Sequence, residues 1–174
     1  MIDTTVTYLG MRLKNPLVVG ASPMVDQLDL VRQLEDAGVS AIVMHSLFEE
    51  QIERERHAAF ECFDDTSYVS AESTSVMPNP DEFRLGPDAY LDQIQRIKHA
   101  VGVPVIASLN GATPGGWLEY AGLIQQAGAD ALELNIYEVV TDPEETGAEV
   151  EARLLELVRI VKHTVKIPVA VKLS

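Results

Sequence analysis

Two short junctions in this chain are built alike. Ala37-Gly38-Val39-Ser40-Ala41 and Ala127-Gly128-Ala129-Asp130-Ala131 each read as a helix stopping at Gly, a turn, and a strand opening with Ala. Val103-Pro104-Val105 and Ile167-Pro168-Val169 form a second matched pair, each shortly after a helix carrying a His, His99 and His163. Pro is tolerated there because the first residue of a strand need not donate to the ladder. Two copies of a two-unit pattern predict a fourfold or eightfold barrel. A doubly wound sheet is the alternative, but it usually carries a glycine-rich phosphate turn after its first strand. Gly20-Ala21-Ser22-Pro23 is no such turn.

The rest of the chain follows the same grammar. Thr4 to Leu13 alternates in polarity around Gly10 and predicts a small β-hairpin. The apolar runs 16–20, 41–44, 103–107, 131–134 and 167–171 predict five buried parallel strands. Helices are expected over 29–37, 88–101, 114–127 and 148–165, with a polar helix over 49–59 and mostly loop from Cys62 to Pro87. Strands alternating with helices mean a parallel sheet. The expectation is an α/β fold of the TIM (β/α)8 type, with about five of the eight strands a closed barrel needs, in one domain over 1–174. Five such strands leave an apolar edge, so the chain is expected to be a truncated product, a partial gene, or a fragment that pairs with something else.

Charge narrows the partners. Thirteen basic residues stand against twenty-seven acidic ones, a net charge of −14, which opposes nucleic acid and anionic membranes. No run approaches the ~18 apolar residues that span a bilayer. The one cysteine, Cys62, cannot form an internal disulfide, and the N-terminus lacks the pattern of a signal peptide, so a cytoplasmic protein is expected. No metal site is expected.

Chemistry in such barrels sits where the strands end. Those positions hold Ala21-Ser22, His45-Ser46, Ser108-Leu109-Asn110, Asn135-Ile136-Tyr137-Glu138 and Lys172. A Lys aimed into the barrel mouth is costly unless it meets an anion or a polar ligand. Asn135 offers both donor and acceptor, which suits the edge of a heteroaromatic ring. Small residues at Ala21 and Ser22 let a flat ring lie against backbone. Each has a plainer reading alone: Lys172 reaching solvent, Asn135 capping a turn, Ser22 with Pro23 ending a strand. Together on one face they favour a ligand site.

Thr5-Val6-Thr7-Tyr8-Leu9-Gly10, Leu13-Lys14-Asn15-Pro16-Leu17, Pro104-Val105-Ile106-Ala107-Ser108, Gly128 to Ile136 and Pro168 to Ser174 together resemble the dihydroorotate dehydrogenase family. The resemblance implies FMN across the barrel mouth, touched by Ala21, Ser22, Ser46 and Ser108. It sets Asn135 between flavin and substrate and Lys172 on the N1/O2 side of the ring. It implies a small dihydropyrimidine-like substrate met by His45, Asn79 and Asn135, a soluble form, and a homo-oligomer. The departures are also specific. His45 stands where the family usually has Lys, and Ser73-Thr74 where it has Asn-Ser, with Pro78-Asn79 retained. Glu138 occupies the position of the family's Cys or Ser base, and Val139-Val140 replaces the following Pro-Asn. Ser46 to Ile52 resembles a subgroup of dihydroorotate dehydrogenase-like proteins that keeps the flavin site while altering catalytic residues.

Two functions follow from the resemblance. One is an FMN-dependent dehydrogenase acting on dihydroorotate or a related dihydropyrimidine in pyrimidine biosynthesis, with Glu138 as the candidate base. The other is a non-catalytic or differently specific FMN-binding protein of the same fold, inactive as this fragment, in which Glu138 is a surface loop residue.

Overall fold

The structure is a computed structural model that describes residues 2–50, 52, 86–111, 115, 117–136 and 139–173. It opens with a hairpin of β1 (Val6–Tyr8) and β2 (Met11–Leu13). Tyr8 pairs with Met11, leaving Leu9 and Gly10 as a two-residue loop. Both have positive φ, 52° and 76°, as a type I′ turn requires, and Gly10 supplies one of them without strain. Asn15 then ties the hairpin exit to the sheet: its Nδ2 donates to the Gly38 carbonyl and its Oδ1 accepts from Ser40 Oγ and the Leu17 amide.

Five parallel strands follow in consecutive order: β3 (Val18–Val19), β4 (Ala41–Phe48), β5 (Val105–Asn110), β6 (Ala131–Ile136) and β7 (Val169–Leu173). The helices are α1 (Leu28–Asp36), α2 (Pro87–Ala100), α3 (Trp117–Gln126) and α4 (Gly147–Thr164), with a 3-10 turn over Pro23–Asp26. They pack on one face of the sheet. Val31, Ile94, Ile97, Ile124, Leu157 and Val161 bury against Ile42, Leu47, Val105, Leu109, Leu132 and Leu134. This is the layering of a curled half-barrel, as expected, and not that of a doubly wound sheet.

Both repeated junctions are real. Gly38 and Gly128 have φ of 101° and 96°, a conformation that favours glycine after a helix. The carbonyls of Pro104 and Pro168 accept from the amides of Ile42 and Leu132, so the prolines accept where they cannot donate. Asp130 occupies the place of Ser40 and takes Lys98 and the Val105 amide on its carboxylate.

The element boundaries correct the sequence reading. β4 runs four residues past Met44, β5 three past Ala107, and β6 and β7 two past Leu134 and Val171. β3 is shorter than residues 16–20. Polar residues ended the predicted strands, but an inner barrel face accepts polar side chains without losing the backbone ladder. His45, Ser46, Ser108, Asn110 and Asn135 therefore lie within strands. Residues 49, 50 and 52 are helical; the remainder of the expected 49–59 helix and nearly all of the Cys62–Pro87 segment lie outside the described residues.

The hairpin covers the lower end of the inner face. Leu13 is buried against Ala41, Val43, Ile106 and Ala131, with Val6, Leu9 and Met11 beside them. The alanines leave room for the larger Leu13.

Candidate functional site on the inner face

Register sets the site. Ser46 pairs with Ser108, Ser108 with Glu133, and Glu133 with Ala170. Two residues further on, Phe48 pairs with Asn110, Asn110 with Asn135, and Asn135 with Lys172. Because side chains alternate along a strand, both rows share the face that Ile106 and Ala131 begin. The inner surface is thus layered from an apolar floor, through a Ser-Ser-Glu row, to an Asn-Asn-Lys row at the C-terminal ends of the strands.

The middle row is hydrogen-bonded throughout. Ser46 Oγ lies 2.8 Å from Ser108 Oγ, and Ser108 Oγ donates to Glu133 Oε1 at 3.1 Å. Ser108 is fully buried, while Ser46 and Glu133 are half-buried. In the upper row Asn110 and Asn135 are half-buried and Lys172 is exposed. Lys172 has no ion-pair partner among the described residues.

A β-bulge puts Ser46 in this row. Val43 pairs with Ile106 and Ser46 with Ser108, so β4 advances three residues while β5 advances two. The extra residue reverses the alternation: Met44 joins the helix-side core, His45 leaves the inner face, and Ser46 enters it. His45 instead meets the Tyr90 ring edge-on, with centroids 5.3 Å apart. Its Nδ1 lies 2.8 Å from Asp26 Oδ1, out of line for a hydrogen bond, and neither atom has another partner among the described residues.

Tyr90, from α2, fills the ladder gap that the bulge opens. Its hydroxyl accepts from the Ser108 amide at 2.9 Å and faces the carbonyls of His45 and Ser108, each at 3.0 Å. Burial pushes the phenol pKa well up.

The structure brings together Ser46, Ser108, Asn135 and Lys172 of the expected site. Ala21 is exposed just past β3, and Ser22 caps the 3-10 turn by accepting from the Met24 amide. Asn79 and Glu138 lie outside the described residues. Sequence reasoning missed Glu133 and Tyr90. A Glu between Leu132 and Leu134 in a buried run was a visible signal; Tyr90, inside an amphipathic helix, gave none. Among the described residues no group of three or more His, Cys, Asp or Glu side chains is placed to hold a metal, and no helix is long and apolar enough to cross a membrane.

The chain is 30% identical over 176 residues to the protein named dihydroorotate dehydrogenase B (NAD(+)), catalytic subunit, of Methanocella arvoryzae, covering 95% of this chain and 51% of that one. The protein of the same name from Methanosarcina mazei is 30% identical over 173 residues, covering 97% and 51%. The family it resembles is dihydroorotate dehydrogenase. The chain spans about half the length of these curated relatives. No protein-family model matches it. Among solved structures, dihydrodipicolinate synthase of Bacillus anthracis superposes with a TM-score of 0.51 at 15% identity, covering 98% of this chain and 46% of that one. At that identity the likeness concerns the fold, which is the barrel expected from the repeats.

Proposed function

We propose that the protein is an FMN-dependent oxidoreductase of the dihydroorotate dehydrogenase type, acting in the cytoplasm on a dihydropyrimidine-like ring. The observation that carries this reading is the Asn110–Asn135–Lys172 row directly above Ser46–Ser108–Glu133, in the half-barrel whose sequence relatives are dihydroorotate dehydrogenases. The donor set fits a flavin ring: amides that donate and accept, and an ammonium with no ion-pair partner among the described residues. Asn135, Lys172, Ser46 and Ser108 would hold the ring, with Ala21 and Ser22 alongside it. When bound, FMN supplies the hydride-accepting chemistry. Lys172 offsets negative charge on the ring, Asn135 orients ring and substrate, and Glu138, two residues beyond β6, is the candidate base.

One observation favours the second reading, a flavin-binding protein without dihydroorotate chemistry. His45, at the position of the family's Lys, meets Asp26 and Tyr90 instead of the mouth rows. Titration of the protein with FMN, followed by quenching of flavin fluorescence, tests the shared part. Weak quenching is expected of a chain that spans about half of its relatives' length, weaker still in Lys172→Ala by about 1–3 kcal/mol, the worth of a charge-assisted hydrogen bond. Absence of quenching, or an unchanged affinity in Lys172→Ala, refutes the assigned site. Anaerobic addition of dihydroorotate separates the two readings: loss of the yellow absorbance supports the dehydrogenase, and its persistence supports the alternative.

A further inference from the structure

The Ser46–Ser108–Glu133 row has a direction. A carboxylate only accepts, whereas a serine hydroxyl carries one proton. Ser108 uses its proton on Glu133 Oε1. The 2.8 Å contact between the two serine oxygens then requires Ser46 to donate to Ser108. With its proton committed, Ser46 offers a ligand only lone pairs. The second oxygen of Glu133 has no hydrogen-bond donor among the described residues and adds a further acceptor. The middle row is therefore an acceptor surface, beneath an upper row that carries the donors of Asn110, Asn135 and Lys172.

We propose that Glu133 is a positioning residue that fixes the Ser46 hydroxyl as an acceptor, so that the inner face prefers a ligand ring presenting N–H. Resting on the flavin reading above, this means the reduced ring is held more tightly than the oxidised one. Two-electron reduction puts an N–H where the oxidised ring has a bare nitrogen, and only the former can donate to Ser46. In Glu133→Ala, Ser108 loses its acceptor, its proton can turn to Ser46, and Ser46 can donate outward. The preference for reduced flavin then falls. Ser108→Ala breaks the same chain while leaving Glu133 in place, so the two changes should not add.

The test is equilibrium binding of FMN in its oxidised and dithionite-reduced forms to the wild type, Glu133→Ala, Ser108→Ala and the double variant, with far-UV circular dichroism as the folding control. The expected result is a ratio of oxidised to reduced Kd that drops about tenfold in each single variant, equivalent to ~30 mV for a two-electron couple. The double variant should drop no further. A ratio that stays at the wild-type value in either folded single variant overturns the inference and leaves the flavin reading standing. Drops that multiply in the double variant also overturn it, because they would mean independent contacts. A wild type that binds neither form removes the flavin reading and this inference with it.

Discussion

Removing one oxygen from α2 should destabilise the sheet. Tyr90→Phe preserves the buried ring but strips the hydroxyl that serves the Ser108 amide and the carbonyls of His45 and Ser108. The bulge holds β4 away at this point, so no strand partner can replace it. A buried amide without an acceptor costs about 1–3 kcal/mol. Carbonyls tolerate partial satisfaction better, so the total is about 2–4 kcal/mol, a large share of the roughly 5–15 kcal/mol that holds a domain together. With a urea m-value of about 1–3 kcal/mol/M, the unfolding midpoint should fall by roughly 1–2 M. Urea titration followed by far-UV circular dichroism reads this directly. A second signature lies at alkaline pH. The folded-state pKa of Tyr90 is raised, so its contribution is complete below the ordinary tyrosine value of about 10 and is lost as pH climbs above it. The stability gap between wild type and Tyr90→Phe should therefore narrow above that pH. A midpoint shift under about 0.3 M, or a gap independent of alkaline pH, would refute the account of Tyr90 as the filler of the bulge.

Three further changes test the frame. Asp130→Ala should cost about 1–3 kcal/mol in urea unfolding, because it strands the Val105 amide and frees Lys98; an effect under about 0.5 kcal/mol, the size of a neutral surface change, counts against this. Gly128→Ala forces a side chain to φ of 96° and should cost about 1–2 kcal/mol; for a domain of this size the melting temperature should fall by roughly 2–8 °C. At the start of α4, Glu149 accepts from the Thr146 amide, and that bond holds its carboxyl below the usual carboxylate range. The capping box should persist above that range and weaken as pH falls through it, seen as faster exchange of the Thr146 amide, with Glu149→Gln removing the pH dependence.

Much of the frame was legible because it rests on local chemistry. Gly38 and Gly128 announced their turns, and Pro104 and Pro168 their strand starts. Strand ends were misplaced because a polar residue in a run reads as an exit, whereas Ser108 and Asn135 stay in the ladder and face inward. The bulge at His45 and Ser46 was not legible. It depends on the register between β4 and β5 and on Tyr90, 45 residues away, supplying a hydroxyl at the gap. Strict alternation from Val43 would put His45 inside and Ser46 outside. Glu133 could have been found by asking what a carboxylate in the middle of a buried run meets.

The buried hairpin contact has an evolutionary consequence. Leu13 and the alanines around it anchor the inner face from below, while the two polar rows stand one and two layers above that floor. Substitution in the upper layers leaves that anchor intact. A lineage carrying this half-barrel can try new side chains at positions such as 46, 135 and 172 while the floor keeps the chain folded.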